Sequence, residues 1–120
     1  MKTKRMIGNE YEEKAAIYLM EAGYGILDRN VNYPWGEIDL VVKDPLRNEL
    51  VFVEVRGRSE GAMVTAEESV GYAKLKRLTR AIDTYLVSKL FLDRKWEPAG
   101  VRIDLIAFEA DRPTHWRNFV

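Results

Sequence analysis

The chain opens with an apolar pattern of helical period: Gly8, Tyr11, Ala15, Tyr18, Leu19 and Ala22 recur at the right spacing, and Gly23 is suited to cap a helix over residues 8–22. Residues 26–31 read as a weak strand, and Asn32, Tyr33 and Pro34 as a turn. The β-branched runs 37–43 and 50–56 predict two strong strands. Over residues 66–89, Leu75, Leu78, Ile82, Tyr85, Leu86 and Lys89 keep helical spacing, while Lys74, Lys76, Arg77 and Arg80 fall mostly on other faces. Residues 101–108 form another apolar strand, with a short last strand expected at 116–120. Pro34, Pro45, Pro98 and Pro113 fall where the apolar pattern breaks and are read as turns. The order α-β-β-β-α-β-β predicts an α/β domain, a mixed sheet flanked by helices.

Residues 44–49 are turn formers, too few for a helical crossover, so the two strong strands should pair as an antiparallel hairpin. With Lys43 opposite Leu50, Asp39 falls opposite Glu54 and Glu37 opposite Arg56. Strand alternation puts these four on one face and Ile38, Leu40, Val42, Val51, Val53 and Val55 on the other. Two opposed carboxylates in such apolar runs repel each other and resist desolvation. Two arrangements would offset that. A divalent cation could bridge them, and hard oxygen ligands without nearby His or Cys favour Mg²⁺ or Mn²⁺ over zinc. Alternatively, Arg56 and Arg58 could neutralise the pair in a salt-bridge ladder with Glu37. Glu12 lies at the margin of the first helix's apolar stripe and, by itself, reads as a surface acid near a helix N-terminus.

Composition narrows the function classes. The 120 residues, 47% hydrophobic, suit one domain spanning 1–120. Without cysteine there is neither a disulfide framework nor a thiolate metal site. Nineteen basic residues balance nineteen acidic ones, so any polyanion site must be local. No apolar run approaches the ~18 residues of a membrane span, and the charged start lacks a signal core, so a cytoplasmic location without membrane association is expected.

The residues Gly8-x-x-Tyr11-Glu12-x-x-Ala15-Ala16-x-Tyr18-Leu19, Gly23-Tyr24-x-Ile26-Leu27-x-Arg29-Asn30, Gly36-Glu37-Ile38-Asp39-Leu40 and Val51-Phe52-Val53-Glu54-Val55-Arg56-x-Arg58 together resemble the bacterial YraN family of predicted endonucleases. That family is similar to archaeal Holliday junction resolvases within the PD-(D/E)XK superfamily. The likeness continues through Ser69-Val70, Lys74, Arg77-Leu78, Ala81 and Tyr85-Leu86 to Arg102-x-Asp104, nearly the whole chain. It implies a restriction-endonuclease-like core with Asp39 and Glu54 as metal ligands, Glu12 as an accessory acid and Arg56 as the cation beside them. In such nucleases the metal binds the scissile phosphate and helps activate a water. The superfamily more often has lysine where Arg56 stands, and arginine can stabilise charge but not accept a proton. The family usually has glycine before the glutamate, where this chain has Tyr11.

The implied activity is a Mg²⁺- or Mn²⁺-dependent endonuclease that hydrolyses DNA phosphodiester bonds, with branched DNA suggested by analogy to resolvases. A second reading is a non-catalytic nucleic-acid-binding module on the same fold, and a third is a domain whose charges serve structure alone. Either of the first two needs cations for phosphates: Arg56, Arg58, Lys74 and Arg77 are the candidates, with Lys76, Arg80 and the Lys2-Lys4-Arg5 segment around them. Trp35 could stack on a base or pack on the domain's rim, and packing is the commoner case. Residues 57–65 read as a mobile loop, and His115, the only histidine, reads as structural. Symmetric cutting of two strands would suit a homodimer.

Overall fold

A computed structural model describes residues 1–58 and 71–120, with side chains for all of these except Lys4 and Arg58. The first helix, α1 (Lys4–Glu21), begins four residues earlier than the apolar pattern suggests, because Thr3 caps it: its Oγ1 accepts a hydrogen bond from the Met6 N–H at 3.2 Å. It stops where expected. Gly23 turns left-handed at φ +94°, its N–H donates to the Met20 carbonyl, and the Tyr24 N–H donates to that of Leu19.

Three strands follow, β1 (Gly25–Tyr33), β2 (Gly36–Asp44) and β3 (Glu49–Arg58); then α2 (Tyr72–Leu86), a single turn α3 (Lys89–Leu92), β4 (Gly100–Glu109) and β5 (Arg112–Trp116). The long second helix expected over 66–89 is therefore shorter at its C-terminal end, where Lys89 opens α3; residues 66–70 lie outside the described residues. The last strand also differs, running over 112–116 rather than 116–120. Pro113 sits within it, opposite Phe108. An edge strand tolerates a residue without an N–H, so this proline does not mark a turn as the pattern suggested. Left-handed Ala110 makes the tight turn instead.

The sheet order is β1-β2-β3-β4-β5, antiparallel except for the parallel pair β3/β4. A parallel pair requires a crossover, which α2 and α3 supply. Ala15, Ala16 and Leu19 of α1 pack on Leu40, Val42, Val51, Val53 and Val55, whereas Leu78, Ala81, Ile82 and Tyr85 of α2 pack on Ile38, Val41, Leu50 and Phe52. Both faces of the central strands are thus buried, which explains their continuous apolar runs. Among the described residues, no helix is long and apolar enough to cross a membrane.

The hairpin register is the expected one as far as it runs, with Lys43 opposite Leu50 and Leu40 opposite Val53. There the ladder ends. Asp39 and Glu54 are not a ladder pair, nor are Glu37 and Arg56; the Asp39 carboxylate enters the opening and its Oδ2 accepts the Val55 N–H at 2.8 Å. Alternation breaks at the same place: Ile38 joins the α2 cluster and Leu40 the α1 cluster, although regular pleating would put both on one face. On the neighbouring strand, Asn30 adopts left-handed φ +50° between Arg29, opposite Leu40, and Val31, opposite Ile38. The register itself does not shift there, since Arg29–Leu40 and Val31–Ile38 keep one spacing.

Candidate active site

At this opening, Glu12, Glu37, Asp39, Glu54, Arg56 and Lys74 line one pocket of about 410 Å³. They come from four elements of the fold. Asp39 and Glu54 stand on the splayed ends of β2 and β3, Glu12 on α1, and Lys74 in the first turn of α2. The approach of α2 is set by Gly36, whose backbone lies so near α2 that a Cβ would overlap the Arg77 carbonyl. The approach of α1 is set by Tyr11, whose ring lies where a Cβ of Gly57 would be and 5.6 Å from the Phe108 ring. Tyr11 and Gly57 therefore act as one fitted pair, with a large residue on the helix matched by the absence of one on the strand.

Asp39 is 7% and Glu54 1% exposed. Among the described residues neither oxygen of Glu54 has a hydrogen-bond partner. Its nearest cations are Arg56 Nη2 at 3.3 Å and Lys74 Nζ at 3.4 Å, both on Oε1. Burial and the neighbouring Asp39 charge push the Glu54 carboxyl up to about 7, although Lys74 and Arg56 pull the other way. Glu12 is pushed up to about 8 by its own burial, by the charge of Asp39 and a hydrogen bond with it, and by Glu37 and Glu54. In the amide orientation that satisfies both groups, Asn30 Nδ2 donates to Glu12 Oε2 at 2.7 Å and Oε1 at 3.2 Å.

Four acids and two cations thus meet with their charges incompletely matched. Among the described residues, no three acidic or histidine side chains are grouped closely enough to form a ready three-ligand metal site. The donor set fits an ion that takes one or two carboxylates and keeps several waters, which is the habit of Mg²⁺. The orphaned oxygens of Glu54 are the observation that makes room for it.

Of the residues expected at the site, the structure brings together Glu12, Asp39, Glu54 and Arg56. Lys74, expected only as a phosphate contact, reaches Glu54 itself. Arg77 is exposed beside the pocket, and the Arg58 side chain lies outside the described residues, as do residues 59–65 of the expected loop. Trp35 packs as expected for a rim tryptophan: Nε1 donates to Thr84 Oγ1 at 3.1 Å, and the Arg80 guanidinium lies 4.8 Å from the ring centre. His115 is structural, bound through Nε2 to Asp104 at 2.8 Å and through Nδ1 to the Tyr18 hydroxyl at 3.2 Å. Sequence reasoning missed Asn30 and the Tyr11–Gly57 fit. An asparagine between strand residues was the available sign of the first, since Asn adopts left-handed backbone more readily than most residues.

The model of an uncharacterised protein family, UPF0102, matches residues 11–108. The chain belongs to the UPF0102 (YraN) family. UPF0102 proteins similar to it include one from Janthinobacterium sp. (strain Marseille), 38% identical over 98% of this chain and 89% of the relative. Another, from Haemophilus ducreyi, is 32% identical over 99% of this chain and 92% of its own length. A third, from Corynebacterium efficiens, is 41% identical over 87% of this chain and 84% of the relative. The UPF0102 match spans every residue of the pocket described above except Ile7 and Gly8.

Proposed function

We propose that this UPF0102 chain is a metal-dependent endonuclease that hydrolyses DNA phosphodiester bonds, with Asp39 and Glu54 holding Mg²⁺ or Mn²⁺. The observation that supports the reading is Glu54: a buried carboxylate beside Asp39 and Glu12 in an open pocket, whose close cations among the described residues, Arg56 and Lys74, both stand at one oxygen, Oε1. A structural carboxylate at that depth would be given hydrogen-bond donors. When bound, a divalent ion would supply charge stabilisation at phosphorus and lower the pKa of a water.

The chain's own groups have separable tasks. The Val55 N–H holds Asp39 Oδ2 and so fixes the carboxylate at the pocket. Arg56 and Lys74 stand where negative charge would build up on a phosphate, and Arg56, always protonated, serves as a donor only. Glu12, with its raised proton affinity and its Asn30 clamp, is the group placed to take or return a proton at the pocket's edge. Arg77 supports phosphate binding beside them, and Arg58 is assigned the same task from its sequence position.

The test is titration of Mn²⁺ and Mg²⁺ into wild type and the Asp39→Asn, Glu54→Gln double variant, followed by cleavage of linear and four-way-junction DNA. Binding and cutting that both vanish in the variant support the proposal. Wild type that binds DNA but neither metal would overturn it and favour the non-catalytic binding module, a reading to which Arg56 in the lysine position already lends weight. Sedimentation of the DNA complex then tests the homodimer that two-strand cutting would suit.

A further inference from the structure

Three depressions meet at Glu37, which lines each of them: the acidic pocket, a groove of about 770 Å³ along α1 and β1, and one of about 300 Å³ between the β1–β2 hairpin and α2. Among the described residues, these two grooves lead away from the acidic centre. Along α1, Glu12, Glu13 and Glu37 outnumber Arg5 and Arg29, and Arg29 is already tied to Glu13 at 2.7 Å. In the hairpin groove, Arg77 and Lys74, the latter also 3.4 Å from Glu54, stand against Glu37. Charge therefore selects the hairpin groove.

Its walls select the form of the polyanion. Tyr33 and Trp35 stack with ring centres 5.8 Å apart and planes 6° from parallel, and Thr84 and Arg80 fix the indole. The Tyr33 hydroxyl is buried in this wall without a hydrogen-bond partner among the described residues. The contact of Gly36 with the Arg77 carbonyl holds the hairpin against α2, so the groove is built from two braced elements. Its volume of about 300 Å³ is on the scale of one nucleotide unit. Aromatic walls with cations along them are the chemistry by which proteins hold unpaired nucleotides.

We propose that the groove between the β1–β2 hairpin and α2 holds an unpaired nucleotide next to the scissile phosphate. The preferred substrate is then DNA with a single-stranded segment flanking a duplex, rather than continuous duplex. The inference rests on the nuclease reading only in taking the acidic pocket as the place of the scissile phosphate.

The experiment is fluorescence anisotropy without divalent ion, using one labelled duplex either blunt or carrying a short single-stranded tail. Wild type should bind the tailed form at least roughly tenfold tighter, the scale of one stacked base. Arg77→Ala should reduce that preference to less than about threefold, losing more affinity for the tailed form than for the blunt duplex. Trp35→Phe, which keeps a ring but removes the Thr84 hydrogen bond, should give an intermediate loss. Equal wild-type affinity for both forms, or a full tail preference in Arg77→Ala, overturns the assignment of this groove. Because neither metal nor cleavage enters the readout, a protein that fails the Mn²⁺ titration can still pass this test, and the reverse.

Discussion

Glu54 and Asp104 lie on adjacent strands at the same depth, 1% and 0% exposed, and they are opposites in every other respect. Asp104 accepts hydrogen bonds from Arg102 Nε and Nη2 at 3.0 and 3.2 Å, from His115 Nε2 at 2.8 Å and from the Asn118 N–H at 2.9 Å. Arg102 in turn reaches Asp44 at 2.7 Å, Glu49 at 2.8 Å and the Tyr24 hydroxyl at 2.9 Å. Burial alone would raise the Asp104 carboxyl, but His115, Arg102 and the Asn118 N–H outweigh it and hold it below the usual range. Among the described residues Glu54 has only Arg56 and Lys74 near one oxygen, at 3.3 and 3.4 Å, and it is raised. Burial therefore does not distinguish these two carboxylates; the supply of donors does. One network is complete without a ligand, and the other lacks positive charge.

The largest effects should come from breaking the complete network. Arg102→Met would strand three carboxylates, two of them buried, and should cost about 3–5 kcal/mol in urea unfolding. Its folded fraction should still bind Mn²⁺. The Asp39→Asn, Glu54→Gln variant should do the reverse, stabilising the metal-free protein by about 1–3 kcal/mol at pH 8 while abolishing Mn²⁺ binding. If that double variant were as destabilised as Arg102→Met, the two clusters would be alike and the distinction would fail.

The pH dependence should separate the clusters with opposite signs. Glu12 and Glu54 hold their protons more tightly folded than unfolded, where about 4.5 is usual. Below that pH both states are protonated and nothing is lost; above it the unfolded chain gains by ionising first, so metal-free stability should fall between roughly pH 5 and 8. Asp44 and Asp104 have folded values below the usual one, so their contribution is complete above about pH 4 and disappears as the pH falls further. The metal-free protein should accordingly be most stable near about pH 5. Mn²⁺ affinity should climb over the range where stability declines, with protons released on binding, because the ligands must be ionised. Calorimetry in buffers of different ionisation enthalpy measures that release, and none at pH 6 would contradict the raised values.

Much of this was legible in the sequence because it is local. The turn at residues 44–49 sets the hairpin register, and the register brings Asp39 near Glu54. The period of α2 identifies Leu78, Ile82 and Tyr85 as core. What was hidden depends on elements distant along the chain. Pleating could not reveal that Ile38 and Leu40 part to opposite faces, since that goes with the left-handed Asn30 one strand away. A helical wheel puts Lys74 off the apolar stripe but cannot say that α2 begins beside Glu54, which depends on Gly36 touching Arg77. Thr3 as an N-cap was readable in principle, but the apolar period does not reach it.

The smallest effect tests whether the unfinished cluster is also the less tolerant of displacement. In Gly57→Ala, the added methyl falls on the Tyr11 ring at the edge of the acidic pocket, and overpacking of this kind typically costs about 1–3 kcal/mol. Tyr11 is next to Glu12 on α1, so pushing its ring away should displace that turn, and Mn²⁺ affinity should fall severalfold even where the protein stays folded. Tyr11→Ala alone should weaken packing on Phe108 with less effect on the metal, and the Gly57→Ala, Tyr11→Ala pair should recover part of the affinity. A coupling of about 0.5 kcal/mol or more in this cycle marks the two residues as one spacer between helix and sheet. Strict additivity would mean that the position of Glu12 is set by Asn30 rather than by Tyr11, and that the tyrosine serves the core alone.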